Sequence, residues 1–213
     1  NLDIDFYTFS THKLYGGTGH GVLYGKRELL EKMPPYMGGG DMVERVTYFK
    51  TTPANLPLKF EAGTPNYVSA ISLSPAIEFV EQTRGRGDKK LLKDVDNKEI
   101  ATTIKDEQKK IIEYVLGSLQ NEIGDVDIYG NPLDKEKKIA LFSFNIKNIN
   151  SSDVAQLLDQ MGIAVRSGLM CAEPLLNSFG ATGAIRASFA PYNTMEEAVA
   201  FISALRRAKK MLE

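Results

Sequence analysis

The sequence predicts a protein that mixes β-strands with α-helices and ends in a smaller α+β domain. Residues 4–9 are an aromatic and β-branched run and residues 21–25 a second apolar run, so both predict strands, the first of them buried. Apolar residues recur every three or four positions in residues 67–82 and 100–119, which predicts two long helices. After these helices, short alternating segments lie among helical ones, which predicts a small sheet with helices packed on it.

The remaining elements follow from the same signals. Residues 26–33 predict a short helix that ends at Pro34, and residues 47–59 predict a surface excursion. In the C-terminal part we expect strands at residues 126–129, 139–146, 163–168 and 184–190, and helices at residues 151–161 and 196–212. On the first long helix we expect an apolar face to meet the core, made of Val68, Ile71, Leu73, Ala76, Ile77 and Val80.

Three successive regions are expected along the chain: residues 1–83, a connecting helical segment at 84–123, and a C-terminal α+β domain at 124–213. The first boundary rests on residues 83–97, which are glycine-rich and strongly charged, as a surface connection is. The chain begins with Asn1 and enters a strand almost at once, with no preceding elements for that strand to lie against. We therefore expect the C-terminal portion of a longer protein.

Composition excludes several classes of function. The 213 residues are 43% hydrophobic and 25% charged, with a net charge of −1. No basic run predicts nucleic acid as a partner, and no stretch is long and apolar enough to predict a membrane span or a signal peptide. A single cysteine excludes an intramolecular disulfide and favours a reducing, cytoplasmic location. Without a second cysteine or a histidine cluster beside it, no metal site is expected.

The stretch that follows the first strand holds Ser10, His12 and Lys13 and then a turn with Gly16 and Gly17. Small residues let backbone N–H groups approach a phosphate, and a desolvated lysine amine can attack a carbonyl to form a Schiff base. The alternative is a β-hairpin with a polar tip and a solvated lysine.

Three later segments also have both a structural and a functional interpretation. In residues 60–66, FEAGTPN, Thr64 can act as a helix N-cap before Pro65. Cys171 follows a strand and lies near Arg166, so it is either a nucleophile or a buried apolar thiol. In residues 184–190, Arg186 lies among apolar neighbours, and it needs either an internal ion pair or a carboxylate of a substrate.

These segments, STHKLYG, FEAGTPN, RSGLMCAEP and IRAS, occur in an order that resembles the class V pyridoxal-phosphate enzymes. The resemblance is greatest to the cysteine desulfurases of the SUF and selenocysteine-lyase branch. It implies an α/β fold of the fold type I transferases, with residues 1–83 as the C-terminal part of the cofactor-binding large domain. It also implies a homodimer that acts on L-cysteine or L-selenocysteine and passes sulfur to an acceptor protein for iron–sulfur cluster assembly.

The resemblance also implies roles for individual residues. Lys13 would bind pyridoxal 5'-phosphate, with Ser10 and His12 touching it and Thr64 reaching the cofactor phosphate of the partner subunit. Cys171 would take sulfur as a persulfide. Arg186 would hold the amino acid carboxylate, with Arg166 as a second contact.

One position departs from the family pattern and leaves other activities open. This branch usually has two histidines just before the cysteine, whereas this chain has Leu169 and Met170. Their absence removes nearby proton carriers. Another class V enzyme, such as an aminotransferase or a selenocysteine lyase, is one alternative, and an inactive fragment that lacks the N-terminal half is the other.

Overall fold

The computed structural model describes residues 3–83, 97–131 and 138–213. Within them eight strands and six α-helices alternate, which confirms the predicted mixture of helices and strands. The strands are β1 (Phe6–Ser10), β2 (Gly21–Gly25), β3 (Val43–Val46), β4 (Thr51–Pro53), β5 (Val126–Tyr129), β6 (Leu141–Ile146), β7 (Arg166–Gly168) and β8 (Ala184–Ser188). The helices are α1 (Arg27–Lys32), α2 (Tyr67–Thr83), α3 (Asn97–Ser118), α4 (Ser151–Gln160), α5 (Glu173–Ser178) and α6 (Met195–Leu212).

The chain divides into two compact units, Asn1–Lys93 and Asp94–Glu213. The predicted connecting segment at 84–123 contains α3, and α3 packs into the core of the second unit. Its predicted inner face is confirmed, because Ile111, Ile112 and Val115 are buried. The charged connection predicted for residues 83–97 lies almost wholly outside the described residues.

The first unit contains two antiparallel hairpins and α2. β1 pairs with β2 along five residues, from Phe6 opposite Gly25 to Ser10 opposite Gly21. The prediction that the first strand is buried is wrong for this unit, because Phe6 is 44% and Tyr7 53% exposed. Among the described residues β1 and β2 form a two-stranded sheet, so no further strand shields them.

The second hairpin lies partly within the predicted surface excursion. β3 and β4 pair through a turn in which the Thr47 hydroxyl accepts hydrogen bonds from the N–H groups of Phe49 and Lys50. Alternating apolar residues are too few here to reveal strands, so hydrogen bonding within the turn, rather than burial, defines this hairpin.

Helix α2 buries a different face from the one predicted. Val68 and Ile71 are 68% and 72% exposed, whereas Ser69 and Ala76 are buried. The N-cap is also different. The helix begins at Tyr67, and the Asn66 side chain rather than Thr64 accepts the N–H of Ser69.

The second unit is a four-stranded antiparallel sheet in the order β5-β6-β8-β7, with α3, α4 and α6 on one face and Leu176 of α5 packed against Ala184 on the other. The strand predicted at residues 139–146 is present as β6, where alternation buries Phe142, Phe144 and Ile146, and along β8 it buries Ile185 and Ala187. These side chains form one core with α3, α4 and α6. The opposite face of the sheet therefore carries the polar residues of the same strands.

Both helices that close this core have capped N-termini. The Asn150 side chain accepts the N–H of Ser152 and caps α4. Gly162 follows α4 at φ +79°, the left-handed conformation that glycine adopts without strain. At the start of α6, Thr194 and Glu197 form a reciprocal capping box. Among the described residues no helix is long and apolar enough to cross a membrane.

Candidate active site

The predicted cofactor lysine lies in the loop of the first hairpin. We call residues 11–20, between β1 and β2, the lysine loop. It begins with a 3₁₀ turn, Thr11–Leu14, and ends that turn at Tyr15 with φ +65°. His12 and Lys13 are both exposed on the turn, while Ser10 is half-buried at the end of β1.

Thr11 closes the lysine loop on itself. It is fully buried, and its N–H donates to the carbonyl of His20 at 3.2 Å. Its carbonyl accepts the N–H of Gly16 at 3.0 Å, and its hydroxyl donates to the carbonyl of Gly17 at 2.5 Å. One side chain thus joins the beginning, the glycine turn and the end of the loop.

Helix α2 holds the glycine turn from outside. Gly17 N–H donates to the hydroxyl of Ser72 at 3.0 Å, and the hydroxyl of Ser69 donates to the carbonyl of Thr18 at 2.8 Å. A Cβ added at Gly17 would lie 2.5 Å from the Ser69 oxygen, so glycine lets the turn and the helix approach each other. The buried face of α2 is polar because its serine hydroxyls form hydrogen bonds with this backbone.

This arrangement corrects the predicted role of the glycines. The N–H groups of Gly16 and Gly17 donate within the protein, so they do not face a ligand. Gly17 allows close packing of the turn on α2, and Gly16 allows close packing on Thr11, instead of cradling a phosphate.

The Lys13 amine is available for chemistry. Among the described residues Lys13 takes part in no ion pair, and its side chain is exposed. Lys26, at the end of the same hairpin, differs: it pairs with Asp5 at 2.9 Å and with Asp3 at 3.2 Å. The hydrogen bond that Lys26 donates to Asp5, and to a smaller extent the one to Asp3, raises the pKa of Lys26, so Lys26 stays a cation.

Thr64 lies in the exposed turn that leads into α2, directly after Gly63 at φ +81°. Two residues later, the Asn66 amide donates to the carbonyls of Thr18 at 3.1 Å and Gly19 at 3.4 Å. The turn that carries Thr64 is therefore tied to the lysine loop through Asn66.

The two predicted arginines lie side by side in the second unit. Arg166 on β7 is directly opposite Arg186 on β8, and Ser143 on β6 is opposite Arg186 on its other side. All three therefore share the sheet face that does not carry the main core. The Nε of Arg186 is buried and has no hydrogen-bond partner among the described residues. Two neighbouring guanidinium groups repel each other unless an anion lies between or beside them.

Asn145 fixes the strand that presents Arg186. Its amide nitrogen donates to the Tyr129 hydroxyl at 3.0 Å and to the carbonyl of Gly183, just before β8, at 2.7 Å. It thus links β5, β6 and β8 on the same polar face.

Cys171 lies on the loop after β7 and is exposed. The backbone of this loop is left-handed at Gly168, Met170 and Cys171, with φ of +109°, +56° and +57°. Left-handed backbone at residues other than glycine is uncommon and is found most often where a loop presents a functional group. The alternative of a buried structural thiol does not fit this exposure.

The predicted site residues thus form two groups, one in each unit: Ser10, His12, Lys13 and Thr64 in the first, and Arg166, Cys171 and Arg186 in the second. Sequence reasoning missed the residues that support them, Thr11, Asn66, Ser69, Ser72 and Asn145. The spacing of Asn66, Ser69 and Ser72, three residues apart on one helix face, was a usable signal. Among the described residues no three His, Cys, Asp or Glu side chains lie together as a metal site.

Known proteins resemble this chain over almost its whole length. A "Probable cysteine desulfurase" of Staphylococcus epidermidis is 40% identical over 210 residues, which are 99% of this chain and 46% of that protein. "Cysteine desulfurase CsdA" of Escherichia coli is 40% identical over 216 residues, 99% of this chain and 47% of that protein. The chain therefore spans about half the length of these relatives.

Solved structures show the same fold. The crystal structure of the Escherichia coli cysteine desulfurase CsdA in its S-sulfonic acid form has a TM-score of 0.82 and 39% identity, covering 100% of this chain and 48% of that one. The apo cysteine desulfurase of Thermococcus onnurineus NA1 also has a TM-score of 0.82, with 32% identity and coverage of 99% and 48%. These matches confirm the predicted α/β fold. The family model "Aminotransferase class-V" matches residues 1–201, and the chain therefore belongs to the class-V aminotransferase family.

Proposed function

We propose that this chain supplies the reacting residues of a pyridoxal-phosphate-dependent cysteine desulfurase, which converts L-cysteine to L-alanine and keeps the sulfur as a persulfide on Cys171. The observation that carries the proposal is the 40% identity, over 99% of the chain, to proteins named cysteine desulfurase. The residues present support it independently, because an exposed lysine, two neighbouring arginines that have no ion pair with any residue the structure describes, and an exposed thiol are groups that the reaction requires.

The residues of the lysine loop fit pyridoxal phosphate. The Lys13 side chain is exposed and forms no ion pair with any residue that the structure describes, so its amine is accessible to the cofactor carbonyl. Ser10 and His12 both precede it in the chain and would supply polar contacts, and the Thr64 hydroxyl would supply a contact for the phosphate. When bound, the cofactor withdraws electrons from the α-carbon of the amino acid and so makes its proton acidic.

Lys13 moves that proton. A neutral amine is a suitable general base for the α-carbon and can later return the proton to a neighbouring carbon. Arg186 holds the substrate carboxylate in a bidentate pair, because a planar guanidinium matches a carboxylate, and Arg166 adds a second cation on the same sheet face.

Cys171 accepts the sulfur. Its thiolate attacks the sulfur of the substrate, so that a new sulfur–sulfur bond forms while the bond between the substrate sulfur and its β-carbon breaks. The electron pair stays with the β-carbon, which takes up a proton and becomes the methyl group of alanine. The exposed position of Cys171 suits later transfer of the terminal sulfur to a second protein.

The assembly and the setting belong to the same proposal. The family resemblance implies a homodimer in which Thr64 reaches the cofactor phosphate of the partner subunit. It also implies a sulfur-acceptor protein, a part in iron–sulfur cluster assembly and a cytoplasmic location.

The proposal is tested by incubating the chain with pyridoxal phosphate and L-cysteine and measuring alanine, sulfide and the visible band of lysine-bound pyridoxal. We expect Lys13→Ala to abolish the band, and Lys32→Ala, which alters an exposed lysine of α1, to leave it unchanged. We expect Cys171→Ser to keep the band and to lose at least nine-tenths of alanine formation, roughly as loss of a covalent nucleophile does. Full alanine formation by Cys171→Ser would exclude the persulfide route.

A second class V activity is favoured by one observation. Leu169 and Met170 precede the thiol and offer no titratable group for proton transfer to sulfur. An aminotransferase would convert the amino acid to a keto acid, and a selenocysteine lyase would release selenide. Product analysis with L-cysteine and L-selenocysteine separates these activities from the desulfurase.

A further inference from the structure

We propose that Asn66, which caps α2, and Ser69 and Ser72 of α2 form a clamp that sets the conformation of the lysine loop and so positions Lys13 for reaction. We call these three residues the turn clamp. They are positioning residues, since none of them touches the Lys13 amine. The inference rests on the proposed role of Lys13 as the cofactor lysine.

The turn clamp is one continuous hydrogen-bonded chain. Ser72 donates its hydroxyl proton to the carbonyl of Ser69 at 2.8 Å, which leaves its oxygen lone pair for the N–H of Gly17 at 3.0 Å. The N–H of Ser69 donates to the Asn66 side-chain oxygen at 3.2 Å, and the Ser69 hydroxyl donates to the carbonyl of Thr18 at 2.8 Å. The side chains of Asn66 and Ser72, which both reach the loop, are therefore each oriented by a second hydrogen bond to the backbone of Ser69.

The position of these residues is unusual for a helix surface. Ser69 is only 6% exposed, whereas Val68 beside it is 68% exposed. Burying hydroxyl groups while apolar side chains face outward is unfavourable unless the hydroxyls have partners. The partners here are backbone groups of the lysine loop, so this face of α2 is specific for that loop.

The clamp reaches Lys13 through the residues on either side of it. Thr11 precedes Lys13 and is bonded to Gly17, whose N–H is held by Ser72. Tyr15 follows Lys13, and its ring packs edge-on against Phe79 of α2 with ring centres 5.1 Å apart. Both ends of the turn are thereby fixed to one helix while the amine stays exposed. Holding a reacting group in one geometry is worth a large rate factor, so a loosened loop reacts more slowly.

The experiment compares Ser72→Ala with two matched variants of the full chain. Ser72→Thr keeps the hydroxyl, and Ser74→Ala removes an exposed serine of the same helix. The first measurement is amide hydrogen exchange at Gly17 without cofactor. The second is the rate at which added pyridoxal phosphate gives the visible band of a lysine-bound pyridoxal. The melting temperature of each variant shows whether the whole fold has changed.

We expect Ser72→Ala to speed exchange at Gly17 and to slow band formation about fivefold, the effect of losing one hydrogen bond. Ser72→Thr should restore both values, and Ser74→Ala should match the unaltered chain. Band formation at the normal rate in Ser72→Ala would overturn the proposal, as would unchanged exchange at Gly17. If the unaltered chain gives no band, the proposed function fails; faster Gly17 exchange in Ser72→Ala would then still support the clamp, and unchanged exchange would overturn it.

Discussion

Gly17→Ala is the substitution that tests the packing of the lysine loop most directly. The added Cβ would lie 2.5 Å from the Ser69 hydroxyl, 3.0 Å from its Cβ and 3.2 Å from its Cα. The last of these atoms belongs to the backbone of α2, which cannot turn away as a side chain can. The turn must therefore move off the helix, and the bond from Gly17 N–H to Ser72 must lengthen or break.

The cost follows from two contributions. Forcing one extra carbon into a close-packed contact costs about 1–3 kcal/mol. A lost hydrogen bond in a half-buried place adds about 1 kcal/mol. We expect a total of about 2–4 kcal/mol, which corresponds to a roughly 30- to 1,000-fold rise in local opening.

Hydrogen exchange followed by mass spectrometry measures this opening in peptides from the lysine loop and from α2. Gly38→Ala is the matched control, because a Cβ there meets no atom within 4 Å. A second variant combines Gly17→Ala with Ser69→Gly, which removes the two nearest obstructing atoms. It should recover part of the protection, less the ~0.5–1 kcal/mol that glycine costs inside a helix and about 1 kcal/mol for the lost hydrogen bond from Ser69 to Thr18.

Equal exchange in Gly17→Ala and Gly38→Ala would refute the packing argument. The argument would also fail if the double variant lost more protection free energy than the sum of the losses in Gly17→Ala and Ser69→Gly. Relief of a clash requires the double variant to lose less than that sum. The same variants report on function, since a displaced turn should also slow the reaction of Lys13 with pyridoxal phosphate.

Three further predictions concern the second unit. Leu205→Ala in the core should cost about 2–5 kcal/mol in urea unfolding, whereas Val199→Ala on the same helix, 44% exposed, should cost less than about 1 kcal/mol; similar costs would contradict the described core. Hydrogen bonds from the side chain of Asn193 and from the backbone of Thr194 lower the pKa of Glu197. The ionised Glu197 therefore stabilises the folded chain above the pKa that it has when unfolded, and this stabilisation is lost as the pH falls through its folded pKa. Melting temperatures between about pH 7 and pH 3 should therefore fall less for Glu197→Gln than for the unaltered chain, and parallel curves would refute this. Asn145→Leu removes the donor to the carbonyl of Gly183 before β8 and should lower the free energy of unfolding by about 1–3 kcal/mol. It should also raise KM for the amino acid more than it lowers kcat, and an unchanged KM would contradict this.

Local patterns were sufficient for many features of the second unit. The alternation of residues 139–146 predicted a strand here, and the structure buries one of its two faces, because side chains on a strand point alternately to either side. The same rule separated Arg186 from Ile185 and Ala187 on β8. The apolar stripe of α3 predicted its buried face, since the core that covers it is apolar.

Helix α2 shows where the same reasoning fails. The periodicity predicted that Val68 and Ile71 face a core, but the structure buries Ser69 on a polar contact. Hydrophobic periodicity assumes that the neighbour is apolar. Here the neighbour within the described unit is a glycine turn whose backbone needs hydrogen-bond partners, so small polar side chains occupy the buried face.

By itself, the sequence determined the kinds of chemistry that this chain carries and most of its strands and helices, because reactive groups and local periodicity are properties of short segments. Only the tertiary structure decided that Arg166 lies opposite Arg186 and that Asn145 of β6 bonds both to Tyr129 of β5 and to Gly183 before β8. It also decided that α2 holds the lysine loop. These contacts join residues up to 55 positions apart in the chain. Their pairing depends on strand register and close approach, and no single segment contains that information.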